Sequence, residues 1–272
     1  IRDRLFKEVE TNVAMRVEET DSADTFRVSG RGELHLSILL ENMRREGYEM
    51  AVSKPEVILR KGENGQVLEP IEEVVITVPD EYSGTVINKL NIRKGIMTQM
   101  STDNGYSKLE YLVPTRGLLG YRSEFINDTR GEGTMVTRFD SFDEHKGDIP
   151  QRVNGVAIAQ EEGTCTPYAL DNIGERVQMF VEPGTKVYEG MIVGMNSRND
   201  DMVVNPCKAK KATNMRAAGS DDAIKLTPAR IFTLEEALEF INDDELVEIT
   251  PDDIRLRKKL LHELERRRSG RY

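Results

Sequence analysis

The chain has 272 residues, with 38 Lys and Arg against 48 Asp and Glu, a formal net charge of −10. That length predicts about two domains, or three small ones, and 38% hydrophobic with 32% charged residues excludes wholesale disorder. No apolar run approaches the roughly 18 residues of a membrane helix; two cysteines, Cys165 and Cys207, give no disulfide framework, and His35, His145 and His262 lie too far apart for metal-ligand spacing.

The chain opens at Ile1 inside a charged helical pattern, without a secretory leader, as a cut through a larger protein would. Over 1–13, Leu5, Val9 and Val13 recur at a spacing of four, which predicts a helix. Strands over 14–18 and 25–29 flank the turn-forming Asp21-Ser22-Ala23-Asp24. Residues 33–45 read as a helix, with Leu36, Leu39, Leu40 and Met43 on one face and Glu41 three and four before Arg44 and Arg45. Gly47 ends it, and a strand over 48–53 stops at Pro55. The order is α-β-β-α-β; a strand before residue 1 would complete a ferredoxin-like βαββαβ fold.

The next stretch, 66–148, shows that order in full. A Val- and Ile-rich strand over 70–78 leads to Asp80, a candidate helix cap, and to Val86, Ile87, Leu90 and Ile92. Strands over 95–101 and 106–113 surround Asp103-Asn104-Gly105, whose Asn-Gly signals a hairpin. A helix over 118–127 and a strand over 134–142 follow, while 61–68 reads as a linker or short hairpin. Residues 150–272 depart from this order. Strands fall at 155–159, 178–181 and within 187–196. Thr233 and Glu236 form a capping box ahead of Leu234, Leu238 and Ile241, and Thr250-Pro251-Asp252-Asp253 predicts another helix start. The expected fold is α+β: two ferredoxin-like modules, 1–61 (lacking its initial strand) and 66–148, then a small β-rich domain, 150–272, with one or two helices.

Chemistry-bearing motifs are few. No Gly-x4-Gly-Lys-Ser/Thr loop occurs, and Gly30-Arg31-Gly32 and Gly131-Glu132-Gly133 lack the lysine and hydroxyl that hold nucleotide phosphates. Neither Gly-x-Ser-x-Gly nor His-Glu-x-x-His is present. The pairs Asp200-Asp201, Asp221-Asp222, Asp243-Asp244 and Asp252-Asp253 sit at turns or helix starts, as caps do. No catalytic residue and no metal site is expected, and this chain is not read as an enzyme. Gly30-Arg31-Gly32 before a helix is either a tight turn or a nest of free N–H groups for an anion. The most informative run is 208–216: Lys208, Lys210, Lys211 and Arg216, with Asn214 and Met215, uninterrupted by any acid. Lys offers point charges to phosphate, and Arg a planar fork that also stacks on bases. The alternative is a solvated helix face. The cations Arg255, Arg257, Lys258, Lys259, Arg266, Arg267, Arg268 and Arg271 read either as a basic RNA-touching end or as a frayed terminus. A rival reading of paired ferredoxin-like modules is a small-molecule-sensing regulator.

Ser29-Gly30-Arg31-Gly32-Glu33-Leu34-His35-Leu36, Arg45-Glu46-Gly47-Tyr48 and Lys54-Pro55 resemble the third domain of translational GTPases of the elongation factor G type. Val78-Pro79-Asp80-Glu81-Tyr82-Ser83-Gly84-Thr85-Val86-Ile87, Leu90-Asn91-Ile92-Arg93-Lys94-Gly95, Val113-Pro114, Gly120-Tyr121 and Arg130-Gly131 resemble the fifth. Asn214-Met215-Arg216, Leu226-Thr227-Pro228-Ala229-Arg230 and Thr233-Leu234-Glu235-Glu236-Ala237 resemble the C-terminal domain of the BipA/TypA branch. The resemblance implies a cytoplasmic, ribosome-associated GTPase that serves translation under stress and large-subunit assembly. GTP and Mg would bind domains preceding Ile1, leaving this part without a cofactor or GTP hydrolysis of its own. Its implied partners are the ribosome, large-subunit ribosomal RNA and the acceptor end of a tRNA, with no membrane and a monomeric state. The implied RNA-binding residues are Lys208, Lys210, Lys211, Asn214, Met215 and Arg216.

Overall fold

In the computed structural model, which describes residues 1–150, 152–209 and 226–270, the chain divides into two units. One is Ile1–Lys54 together with Arg152–Tyr272; the other is Pro55–Gln151.

The first unit begins with α1 (Arg2–Thr11), the hairpin β1 (Arg16–Glu19) and β2 (Phe26–Ser29), α2 (Glu33–Arg45) and β3 (Met50–Ser53). Leu39 and Met43 of α2 are buried against Leu5 and Met15, with Val17, Phe26, Val28 and Met50 packed around them. Glu41 ties both Arg44 (2.9 Å) and Arg45 (2.8 Å) along the helix surface. Gly47, at φ +93°, turns the chain so that Tyr48 N–H bonds the Met43 carbonyl at 3.1 Å.

The second unit comprises β4 (Arg60–Lys61), β5 (Val67–Pro79), α3 (Asp80–Ile92), β6 (Ile96–Asp103), β7 (Tyr106–Pro114), α4 (Thr115–Leu118), α5 (Tyr121–Asp128) and β8 (Thr134–Glu144). Its antiparallel sheet has the order β8-β5-β7-β6, with β4 on β5, which is the ferredoxin-like arrangement of a βαββαβ chain. Alternation along β5 and β7 puts Val74, Ile76, Val78, Leu109, Tyr111 and Val113 on one face, where Val86, Leu90, Tyr121 and Phe125 cover them. Asn104 (φ +51°) and Gly105 (φ +82°) form the expected hairpin turn. The helix expected over 118–127 is broken: Gly120, at φ +70°, separates α4 from α5. Arg93 holds this break by donating to the carbonyl of Gly117 at 2.9 Å. Asp80 does not cap α3 as expected. Pro79 is the flanking residue, and the Asp80 carboxylate accepts from the Ser107 hydroxyl at 2.6 Å.

The chain then returns to the first unit with β9 (Val156–Ala159), β10 (Gly163–Thr164), α6 (Pro167–Gly174), β11 (Val177–Met179), β12 (Lys186–Val187), β13 (Met191–Asn196), β14 (Met202–Val204), α7 (Leu234–Phe240), β15 (Glu245–Ile249), β16 (Ile254–Lys258) and α8 (Glu263–Arg268). The main sheet runs β14-β9-β13-β16-β15-β3, with β11 paired to β13. Thus β3, nearly 200 residues away in sequence, extends this sheet, with Val52 opposite Val247 and Met50 opposite Ile249. The central strands are buried on both faces. Ala157, Ala159, Met191 and Val193 enter one core, while Val156, Ile158 and Ile192 enter the other beneath α7. That is why these segments read as continuous apolar runs.

Two local expectations for this region change. Thr250–Asp253 is a turn between β15 and β16: Thr250 N–H bonds the Asp253 carbonyl at 2.9 Å, and the Thr250 hydroxyl accepts from Asp253 N–H at 2.9 Å. The strand alternation on either side overrides the local helix-start signal. The basic tail is ordered through α8, because Arg266 is buried and donates to the carbonyls of Leu260 and Leu261. The Thr233–Glu236 capping box forms as expected.

Candidate nucleic-acid interface

The basic run starts where β14, parallel to β9 at the sheet edge, leaves the sheet. Main-chain bonding continues past the strand. Gln160 N–H bonds the Val204 carbonyl at 2.9 Å, and Thr166 N–H bonds that of Pro206 at 3.0 Å. Thr166 then does two things with one hydroxyl. It accepts from Ala169 N–H at 3.2 Å, capping α6, and donates to the Lys208 carbonyl at 2.7 Å. Pro167 follows at the first helical position.

The underside of this stem is apolar. Cys165 is buried, and Cys207 packs against the same core. A Cβ on Gly163 would come within 2.7 Å of Cys207 Sγ, so glycine is needed for the close approach. Burial, reinforced by the neighbouring Cys207, pushes the Cys165 thiol up to about 11, and burial raises Cys207 as well. Both are therefore neutral packing groups at pH 7. Lys208 itself is exposed and makes no ion pair with a described residue. Lys210, Lys211, Asn214, Met215 and Arg216 lie outside the described residues.

On the far side of the run, Leu226 packs against the core that holds Cys165. Arg230 N–H bonds the Met179 carbonyl at 2.8 Å, and its guanidinium lies over Phe232, 4.5 Å from the ring centroid. Phe232 belongs to a three-ring group with Phe180 (4.7 Å, edge-on) and Phe240 (5.1 Å, tilted). The sequence reading noted Arg230 only within a longer motif. The signal for its ring contact was the spacing of two between Arg230 and Phe232.

Other cations serve the fold. Lys258 is 3% exposed, and its ammonium meets Asp201 at 2.6 Å, Asp244 at 2.9 Å and Glu245 at 3.0 Å. Arg152 grips both oxygens of Glu245 (2.8 and 3.0 Å) and donates to the carbonyls of Asn154 and Phe240. Burial opposes both charges in the Lys258–Glu245 contact. The carboxylates outweigh it and raise the Lys258 pKa, while Arg152 and Lys258 outweigh it and lower that of Glu245. A hollow of about 200 Å³ opens beside this network, lined by Arg152, Asn154, Asp201, Asn242, Asp244 and Lys258. Its charged walls are engaged with one another. Arg255 likewise pairs with Asp253 and Glu248.

The Gly30-Arg31-Gly32 segment is a closed turn. His35 Nδ1 accepts from Arg31 N–H at 3.2 Å, and His35 Nε2 sits 2.8 Å from the Asn12 amide. One N–H group of the segment, that of Arg31, is thus engaged internally. Among the described residues, no cluster of three His, Cys, Asp or Glu side chains could hold a metal ion, and no helix is long and apolar enough to cross a membrane.

Residues 154–263 match the TypA/BipA C-terminal domain, and residues 66–153 match the elongation factor G C-terminus. The large ribosomal subunit assembly factor BipA of Haemophilus influenzae is 52% identical over 273 residues, covering 100% of this chain and 44% of that protein. The protein of the same name in Escherichia coli K12 is 50% identical, covering 100% of this chain and 45% of its own length. That of Synechocystis is 52% identical over 259 residues, covering 95% of this chain and 43% of its own length. The chain thus spans about half the length of the curated relatives it matches, and it aligns with their C-terminal half.

Proposed function

This chain belongs to the TypA/BipA family, and we propose that it is the RNA-gripping half of a ribosome-associated GTPase acting in large-subunit assembly and in translation under stress. The observation that carries this reading is the acid-free run of Lys208, Lys210, Lys211 and Arg216 in a chain of net charge −10. Its entry is tied down by the Thr166–Lys208 bond while the Lys208 side chain faces solvent. A cationic segment on a fixed stem presents charge to phosphate at little ordering cost to the stem. The domain 150–272 carries it, and the domains 1–61 and 66–148 precede it in the chain. Asn214 and Met215 add a hydrogen-bonding group and a soft apolar contact. Large-subunit ribosomal RNA and the acceptor end of a tRNA are the proposed ligands. GTP and Mg belong to domains N-terminal to this part, which holds no cofactor and hydrolyses no GTP itself. The parent protein is proposed to work in the cytoplasm as a monomer.

Lys and Arg contacts to phosphate release counterions, so binding weakens steeply with salt. The test is co-sedimentation with ribosomes across a salt series. Replacing Lys208, Lys210, Lys211 and Arg216 together by Ala is expected to weaken binding and to make the log–log salt slope shallower by about 3. Unchanged sedimentation of that variant would sink the assignment.

A further inference from the structure

Two arginines of the first unit lie over phenylalanines of the same three-ring group, yet their surroundings differ. Arg152 lies 4.3 Å from the Phe240 centroid, and all three of its nitrogens are engaged by Glu245, Asn154 and Phe240. Arg230 lies 4.5 Å from the Phe232 centroid. Among the described residues, its guanidinium has no hydrogen-bond partner, and its one carboxylate neighbour, Glu236, is at 4.0 Å, the outer limit of ion pairing. The other oxygen of Glu236 is engaged by the backbone and hydroxyl of Thr233 in the capping box. Both Arg230 and Glu236 side chains are 39% exposed, so water screens what attraction remains.

Arg230 is nonetheless held firmly at its base. Its N–H bonds Met179, and the ring beneath it is wedged edge-on against Phe180. A side chain with a fixed root, a ring under its head and N–H groups unengaged among the described residues is prepared for a ligand rather than for its own fold. In the sequence it follows the basic run by 14 residues, counted from Arg216 to Arg230. We propose that Arg230, backed by Phe232, is a second contact for single-stranded RNA. Its fork bonds a phosphodiester oxygen, and the Arg–Phe pair offers a platform on which an unpaired base stacks. This inference rests on the RNA-binding reading of the basic run and adds a site outside it.

The test uses the full chain with a fluorescently labelled single-stranded oligoribonucleotide and, separately, with ribosomes. Arg230→Ala is expected to weaken oligoribonucleotide binding about tenfold, within the range for loss of one stacked base, and to make the salt slope shallower by about 0.7. Arg230→Lys keeps the charge but loses the fork and the plane. It is expected to keep the slope and still bind several-fold more weakly. Unchanged melting temperatures in both variants exclude an indirect effect through the fold. Binding of Arg230→Ala within twofold of the parent overturns the proposal, as does Arg230→Lys binding like the parent. Loss of ribosome binding by Arg230→Ala with oligoribonucleotide binding intact also overturns it, because the contact would then be to protein. The fourfold Ala variant of the basic run separates the two readings. If it binds normally while Arg230→Ala is weakened, the basic run fails and Arg230 stands; the reverse removes Arg230 alone. If neither is weakened, both fall.

Discussion

The second unit closes its sheet from one continuous stretch, Pro55–Gln151, whereas the first draws one sheet from both ends of the chain. In the second, every strand finds its partners within that one stretch, and β5 alone pairs with both β7 and β8. In the first, β3 joins β15 across almost 200 residues, and Lys258 gathers carboxylates from the 201 turn and from the start of β15. The first unit therefore depends on a few distant contacts, and removing one should be felt across segments that look unrelated in sequence. The farthest-reaching effect is expected from Lys258→Met. It leaves the fully buried Glu245 with Arg152 alone and takes the ammonium partner from the part-exposed Asp201 and Asp244, a loss of about 3 kcal/mol. Hydrogen exchange should accelerate in β9, β13, β15 and β3 while the amides of β5 and β7 stay protected. Equal acceleration in both units would erase the distinction between them.

A matched pair of core truncations sharpens the same point. Ile249 and Ile76 are both 0% exposed, one in each unit. Replacement of either by Ala is expected to cost about 2–5 kcal/mol. Ile249→Ala should also loosen Met50–Ser53, since Ile249 lies opposite Met50. Ile76→Ala should leave that strand as it was. Amide exchange at residues 50–53 decides the matter.

Acid and alkali act on the units through different groups. Glu245 and Glu69 are both 0% exposed with pKa values held down, against the cost of burial, by Arg152 and Lys258 in one case and by Arg116 and the Lys146 N–H in the other. A depressed carboxylate contributes stability above its unfolded pKa, about 4.3, and loses it as pH falls through the lower folded value. Both units should therefore weaken in acid. On the alkaline side the signs invert. Lys258 and Lys89 are both raised by carboxylate partners that outweigh burial, and their stabilisation fades as pH rises above about 10.4 through the folded value. Lys258 is nearly enclosed and Lys89 is one-third exposed, so the first unit should show the larger alkaline loss. Melting curves resolved by exchange at pH 3, 7 and 11 would show it; a larger alkaline loss in the second unit would contradict the burial argument.

What was legible in the sequence divides along the same line. Alternation at Val74, Ile76 and Val78 and the Asn104-Gly105 turn announce the second unit's strands because their causes are local. The stop at Gly120 was missed because it depends on Arg93 holding the Gly117 carbonyl from another helix. In the first unit the strands over 14–18, 25–29, 48–53, 155–159, 178–181 and within 187–196 are legible, but β14, β15 and β16 are not, and nothing near Met50–Ser53 names Val247 or Ile249 as neighbours. Thr250-Pro251-Asp252-Asp253 carries a helix-start signal that the two flanking strands override. Lys258 reads as one more cation in a basic tail; only folding reveals it as the centre of a buried network. At the candidate site, the charge run is plain in the sequence, and Lys208 is exposed as a phosphate contact must be. Its anchor, Thr166, is 42 residues away and gives no local hint.

The smallest expected effect concerns how helices begin. In the second unit α3 has 13 residues and no side-chain cap, so its start rests on packing of Val86 and Leu90. In the first unit α7 has only 7 residues, too few to be stable on propensity, and its first turn is closed by Thr233 and Glu236 in both directions. Thr233→Ala should cost the first unit about 1 kcal/mol, and Thr233→Ser should restore it, because the hydroxyl rather than the methyl makes the bond. In the second unit, Asp80→Ala removes a first-turn charge and the bond to Ser107, but no cap, and should cost no more than about 1 kcal/mol. Chemical denaturation of the three variants measures these values. If Thr233→Ala were silent while Asp80→Ala cost more, α7 would be held by the packing of Leu234 and Leu238 alone, and the short helix would need no closed first turn.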